Sequence, residues 1–403
     1  MCLRTRPQQK SSVELADILR QHGDAYIAKH GVSSEQYKAI EAIRRCRTAE
    51  MGGHVAHCDH CGIDSIAYNS CRTRHCPKCQ TVSKIKWLEK RVAELLPVQY
   101  FHVVFTLPHE LNYLADYNAS VIYNLLFKAT WRTINTLGQD SKRLGGTMGM
   151  LGFLHTWGQN LSHHIHLHCM IPGGALCKVG TQTTWRGCKP DFLFPVKVMS
   201  KLFGKIFLSL LKEAYQTKKL IFKGGIAELS CEEKFGTLMQ LLSKKSWNVY
   251  AKKPFNGAKG GLEYLARYVN KIAISNERIL SSDDSHVSFQ WRDYSDENRK
   301  KVMKLEPSEF IRRFLKHVLP KGLMRVRCFG FLANPVKKHS IELILQLFNQ
   351  PKKETPKNES TAALMQRVTG IDIELCKHCH VGRLKIIKSL PPYKQFHTYL
   401  DSS

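Results

Sequence analysis

Near the start of the chain, apolar positions recur at helical spacing. Leu15, Ile18 and Leu19 share one side of a polar stretch from Val13 to His30, and with Ser33 to Ile43 this predicts two short helices. Lys84 to Leu96 repeats the pattern through Ile85, Leu88, Val92 and Leu95, and Pro97 ends it. The period then shortens. Tyr100 to Thr106 is β-branched and aromatic and predicts a strand, after which Pro108 opens a helical stretch toward Leu126 and Trp131. Gly145-Gly146 precedes a second strand, Met150 to Trp157, and a third at His163 to Ile171 is stopped by Pro172-Gly173-Gly174. A helix follows over Val196 to Tyr215, then a strand at Val287 to Trp291, a helix at Ser308 to His317 and a strand near Met324 to Phe329. Two adjacent strands after a strand and a helix predict an α+β fold with an antiparallel sheet.

Cysteine placement adds chemistry to this outline. Six of the 14 cysteines lie between Cys46 and Cys79, clustering that points to metal rather than disulfides in a reducing compartment. Cys58-x2-Cys61 and, after 14 residues, Cys76-x2-Cys79 are two knuckles, and four thiolates so spaced predict one closed structural zinc site. Cys46, His54, Cys71 and His75 form a second N/S ligand set, open between a second zinc and ordinary core or phosphate-facing residues. Arg72 and Arg74 lie between the knuckles, where they would contact a DNA backbone or form a solvated loop. Cys376-x2-Cys379 is a lone knuckle without a second pair.

The third strand carries the densest imidazole run, Ser162-His163-His164-Ile165-His166-Leu167-His168. Side chains alternate along a strand, so His164, His166 and His168 face one way while Ile165, Leu167, Cys169 and Ile171 face a core. Metal coordination is the simplest account of three imidazoles on one face. His163 shares the apolar parity but sits at the strand's start, within reach of solvent; His155 and Gln159 are further ligand candidates. Leu262 to Ile274 reads as a helix with Leu262, Leu265, Val269 and Ile272 on one side and Tyr264, Tyr268 and Lys271 on the other. At i and i+4 the tyrosines address one site.

Lys and Arg number 61 against 33 Asp and Glu, a net charge of +28, and 43% of residues are hydrophobic. That composition supports a folded core and makes nucleic acid the default partner. No stretch approaches the twenty or so apolar residues of a membrane span. The N-terminus lacks an apolar signal region, so a cytoplasmic location without a membrane partner is expected.

His166-Leu167-His168 resembles the HUH motif, and Tyr264-x3-Tyr268 the paired nucleophiles, of two-tyrosine rolling-circle transposases. Ser70 to Cys79, Tyr100 to Pro108, Leu154 to Gly158, Arg267 to Asn276 and Phe310 to Gly322 extend the resemblance, in order, to the insertion sequence ninety-one family. It implies an HUH nuclease fold, a central antiparallel sheet flanked by helices, behind a small zinc-binding domain. The implied organisation is a helical lead-in at 1–45, a zinc-binding DNA-recognition domain at 46–97 and a two-tyrosine nuclease domain at 98–280. The C-terminal part of the transposase domain occupies 281–350, and a linker and basic tail 351–403. It further implies a catalytic Mg²⁺ or Mn²⁺ on His166 and His168, with a third ligand among His164, His155 and Gln159, of which His164 is favoured for its place on the same face. Tyr264 or Tyr268 would attack a single-stranded transposon end to give a 5′-phosphotyrosine and a free 3′-OH, with Lys271 favouring the phenolate and Arg267 near the DNA. Such a bacterial protein works at the nucleoid and needs no nucleotide cofactor. A plasmid replication initiator or relaxase would share this chemistry; a non-catalytic zinc-dependent DNA-binding regulator would leave the histidines and tyrosines unemployed.

Overall fold

A computed structural model describes residues 13–79, 81–252, 254–256, 260–261, 272–294, 296–351 and 359–393. The strands in chain order are β1 Gly53–Cys58, β2 Asp64–Tyr68, β3 Gln99–Thr106, β4 Gly149–Trp157, β5 His163–Pro172, β6 Gly174–Val179 and β7 Gln182–Gly187. They continue with β8 Asn248–Ala251, β9 Phe255–Asn256, β10 Ile279–Ser282, β11 Val287–Asp293, β12 Arg299–Leu305, β13 Val326–Gly330 and β14 Leu384–Leu390. The described helices are α1 Leu15–His30, α2 Ser34–Arg45, α3 Thr81–Ala93, α4 Leu111–Gln139, α5 Val196–Gln216, α6 Glu232–Lys244, α7 Pro307–Leu315, α8 Lys337–Leu347 and α9 Thr361–Thr369. The mixture is the anticipated α+β. The predicted helix over Lys84 to Leu96 begins earlier, at Thr81, and stops at Ala93, short of Pro97, because residues just ahead of a proline avoid helical backbone. The tyrosine helix, with Tyr264, Arg267, Tyr268 and Lys271, lies outside the described residues.

Two compact units interleave along the chain. One takes the described residues up to 86, those of 272–318 and those beyond 356; the other takes those of 87–271 and 319–356. The expected contiguous divisions therefore change in two places. Residues 281–350 split between the units, and the described part of the expected tail, 359–393, joins the cysteine-rich one. The reason is strand pairing: β14 adds antiparallel to β1, giving a three-stranded sheet in the order β14-β1-β2. In the same unit α1 and α7 pack together, and Phe289 of β11 meets Phe310 of α7 edge to face at 5.8 Å. Ser33 caps α2 by accepting from the Gln36 amide, while the Gln36 side chain returns to the Ser33 amide.

The second unit is built on an antiparallel sheet in the order β13-β4-β5-β3-β8, with β9 pairing to the start of β3. One sheet face is covered throughout. Phe101, Val103 and Phe105 of β3 and Ile165, Leu167, Cys169 and Ile171 of β5 are buried there against α4 and α5, whose Phe127, Phe203 and Phe207 interleave with them. The opposite face is covered over part of its length: Tyr100, Leu151, Phe153 and Met170 pack with Leu88, Leu95, Ile341 and Ile344. Further along this face the side chains become polar, and the imidazoles begin.

Candidate metal centres

The cysteines partition differently from their spacing. Cys58 and Cys61 gather with Cys376 and Cys379, while Cys76 and Cys79 gather with Cys46 and Cys71, and within each set the sulfurs lie within 4.8 Å of one another. The expected pairing of Cys58 and Cys61 with Cys76 and Cys79 is therefore corrected. So is the mixed set of Cys46, His54, Cys71 and His75, whose histidines belong to neither sulfur group. The cause is again β14, which places Leu384 opposite Cys58 and so turns the tail knuckle onto the first one. Cys46 follows the last residue of α2, which delivers it to the other knuckle.

The sulfur separations test the fit to zinc. Thiolates about 2.3 Å from a tetrahedral ion stand about 3.8 Å apart. Cys58 and Cys379 are 3.7 Å apart and Cys61 and Cys376 3.8 Å. In the other set the separations are 3.2 Å for Cys46–Cys79, 3.6 Å for Cys71–Cys79 and 3.7 Å for Cys76–Cys46. Backbone amides support the sulfurs: Gly382 N–H donates to Cys379 at 3.3 Å and His378 N–H to Cys376 at 3.4 Å. The amides of Gly382 and Val381 hold the Cys379 thiol down to about 6 and the hydrogen bond with Cys76 holds Cys71 down to about 5, whereas burial pushes Cys46 up to about 11 and the hydrogen bond with Cys71 raises Cys76, so the thiolate is favoured at particular sulfurs of each set and not at all four. Arg72, with left-handed backbone at φ 54°, and half-buried Arg74 sit in the loop between Cys71 and Cys76.

In the second unit, the two-residue repeat of β5 puts His166 and His168 on the partly covered face. Register then brings His155 of β4 directly opposite His166. His155, His166 and His168 form a group whose ring nitrogens lie within 4.8 Å of one another. His164 was favoured as the third member on parity alone, and that is corrected. It has the right parity but is exposed one step further along the strand, its ring 4.8 Å from that of His166. Gln159 falls in the turn between β4 and β5. His163, expected to reach solvent, is 6% exposed, with Nδ1 3.1 Å from Asp116.

Hydrogen bonds orient the rings. His166 Nδ1–H donates to the His164 carbonyl at 2.8 Å, which leaves its Nε2 lone pair facing His168 Nε2 at 3.1 Å. Nitrogens about 2.1 Å from one ion stand about 3.0 Å apart as neighbours in an octahedron and about 3.4 Å apart in a tetrahedron. The observed separation is nearer the octahedral value. His168 Nδ1 meets His102 Nε2 at 2.9 Å, and burial pushes His102 down to about 3, so it remains a neutral partner that holds the His168 ring. His102 lies within the Tyr100 to Thr106 strand, where the sequence alone gives it no role. Its diagonal position, with Val104 rather than His102 opposite His168, explains why.

One unit carries the two four-sulfur sets and the other the imidazole group. Residues 18–107 match the family model described as a transposase zinc-binding domain, and residues 149–340 match that of a putative transposase. The chain belongs to the insertion sequence ninety-one family of transposases. It is 44% identical to the putative transposase y4qJ of Sinorhizobium fredii over 383 residues, 94% of this chain and 96% of that one. It is 24% identical to the transposase for insertion sequence element IS801 of Pseudomonas savastanoi pv. phaseolicola over 309 residues, 76% of this chain and 72% of the relative. No solved structure matches. No described helix is long and apolar enough to cross a membrane.

Proposed function

We propose that this transposase is an HUH-type endonuclease and strand transferase that cuts and rejoins single-stranded DNA at transposon ends, driving rolling-circle transposition at the bacterial nucleoid. The observation that carries it is the convergence of His155, His166 and His168 on the stretch of the sheet face beyond its apolar cluster. Three nitrogen donors leave positions for phosphate oxygens and water, unlike the four-sulfur sites, which are saturated. A bound Mg²⁺ or Mn²⁺ would neutralise charge on the scissile phosphate.

The chain's own groups account for the rest. The hydroxyl of Tyr264 or Tyr268 attacks phosphorus, its O–P bond forms as the bond from phosphorus to the 3′-oxygen breaks, and the 3′-oxygen leaves as a hydroxyl after taking up a proton. A phenol ordinarily titrates near 10, so the positive charge of Lys271 favours the attacking phenolate. The phosphotyrosine bond retains the energy for rejoining. Two nucleophiles allow one to hold the first end while the other cuts the second. Arg72, Arg74 and Arg267 would contact the DNA backbone.

The deciding experiment incubates the protein and its Tyr264→Phe, Tyr268→Phe and double variants with labelled single-stranded DNA from the element's ends, with Mn²⁺ or EDTA. A denaturation-resistant adduct that needs the metal and disappears in the double variant is expected. DNA binding without any adduct under every metal tried would replace the nuclease with a zinc-dependent DNA-binding regulator.

A further inference from the structure

Lys197, Lys201 and Lys205 follow one another at i, i+4 and i+8 on α5, which stacks them along one helix face at a rise of about 6 Å per step. Lys244 and Lys245, at the end of α6, face them across a groove of about 700 Å³. Among the described residues, no acidic side chain lines this groove. Lys245 pairs with Glu110, whereas Lys197, Lys201, Lys205 and Lys244 are exposed and make no ion pair among the described residues. The floor is built rather than incidental. Trp247 is 5% exposed and lies so close to α5 that a β-carbon on Gly204 would stand 2.7 Å from its ring, and Ser200 donates to the Trp247 carbonyl.

Sheet register places the groove relative to the histidines. Asn248, the residue after Trp247, lies opposite Thr106, and Thr106 lies opposite His166. The groove mouth is thus two strand spacings, about 10 Å, from the histidine row. One register step along, Tyr250 lies opposite Val104 and Val104 opposite His168, so Tyr250 is on the histidine face, and it is 54% exposed. Its neighbour Val249 points the other way, into the helix-covered core. Four lysines without ion pairs among the described residues on one side of β8 and an exposed aromatic ring on the other stand two strands from the imidazoles. Lysines track a phosphate backbone, and an exposed ring stacks a base of any sequence.

We infer that this groove and Tyr250 bind the single DNA strand flanking the cleavage position, phosphates along Lys197, Lys201, Lys205 and Lys244 and a base on Tyr250, leading the strand over the β8 edge to His166 and His168. The inference rests on the nuclease reading for the strand's destination. The lysine groove as a single-strand backbone site stands on its own chemistry.

The test uses the full chain and a fluorescent thirty-nucleotide oligodeoxythymidine, with affinity followed across salt concentrations. Each phosphate contact on a single strand contributes about 0.7 to the slope of log affinity against log salt, so Lys197→Gln, Lys201→Gln, Lys205→Gln and Lys244→Gln together should reduce that slope by about 2.8. A control with the same loss of charge at exposed Lys142, Lys178, Lys189 and Lys219 should leave most of the slope in place. Tyr250→Ala should weaken binding roughly five- to hundredfold while Tyr250→Phe restores it, because stacking needs the ring and not the hydroxyl. An unchanged slope in the groove variant, or an equal drop in the control, overturns the groove even if the unaltered protein forms a metal-dependent adduct. A full slope change with no adduct in any metal retains the groove and removes the nuclease reading instead. Failure of Tyr250→Phe to restore binding overturns the base contact.

Discussion

The sulfur clusters and the imidazole cluster are built by opposite means. One sulfur cluster draws its four donors from two knuckles far apart in the chain, Cys61 lying 315 residues from Cys376, with the His378 and Gly382 amides pointing at the sulfurs, and the other joins Cys46 to Cys71, Cys76 and Cys79. The imidazole cluster draws three donors from two adjacent strands of one sheet, and their positions follow from strand register. A saturated tetrahedral set can only hold chain segments together. A three-donor set on a rigid sheet keeps room for a substrate oxygen. Removing a sulfur should therefore be read out in folding, and removing an imidazole in chemistry with the fold intact.

The largest effect is expected at the sulfur cluster that ties β14 to β1. Structural zinc contributes on the order of 10 kcal/mol to folding in small zinc modules. Cys376→Ser should lower bound zinc from two ions per chain to one and expose the 359–393 segment to protease, as should Cys58→Ser. Gly382→Ala should act in the same direction without replacing a ligand, because a β-carbon there would stand 2.4 Å from Cys58 Sγ. Retention of both ions in Cys376→Ser, with loss of one when Cys58 and Cys76 are replaced together, would restore the pairing suggested by spacing and break the comparison.

Next in size is metal removal. Brief EDTA treatment should abolish adduct formation while the circular dichroism spectrum and zinc content stay unchanged, and Mn²⁺ should restore it. Zinc release in parallel with activity would show that the two kinds of site do not differ in the way their donor counts imply. His166→Ala and His168→Ala should likewise abolish the adduct with little change in melting temperature, and His155→Ala should reduce it at least about a hundredfold, beyond the effect usual for an outer partner.

These expectations also mark where the sequence was legible. The row on β5 could be read because a strand's two-residue period needs no knowledge of its neighbours, and the buried Ile165, Leu167, Cys169 and Ile171 match it. His155 was harder to rank above His164, since its position depends on the β4–β5 register, which shifts between His155 and Trp157. Knuckle spacing identifies pairs of ligands but carries no information about which knuckles meet. Only the long-range pairing of β14 with β1 brings Cys376 and Cys379 to Cys58 and Cys61, and the same pairing makes the expected tail part of the zinc unit. The α+β pattern was visible because its main helices and strands are long and strongly periodic; short strands such as β1, β2 and β8 were not.

A smaller effect is expected at His102, whose Nε2 lies 2.9 Å from Nδ1 of His168. Loss of such a partner typically costs 10- to 100-fold in metal affinity. His102→Ala should therefore raise the Mn²⁺ concentration needed for half-maximal adduct by about that factor while leaving the rate at saturating metal nearly unchanged. A fall in the saturated rate with no shift in metal dependence would make His102 a group acting on DNA rather than on the ring of His168.

The smallest effect separates two histidines that parity alone cannot. His164 and His155 both share a face with His166, but His155 is 3% exposed and stands opposite it across the ladder, whereas His164 is exposed and contributes its backbone carbonyl to the His166 ring. A backbone carbonyl survives side-chain truncation. His164→Ala should change neither half-saturating Mn²⁺ nor adduct yield by more than about twofold, the scale of an ordinary surface substitution. If His164→Ala instead matched His155→Ala in the loss of metal affinity, the imidazole cluster would be a four-donor site, and its contrast with the sulfur clusters would rest on donor chemistry rather than on an open position.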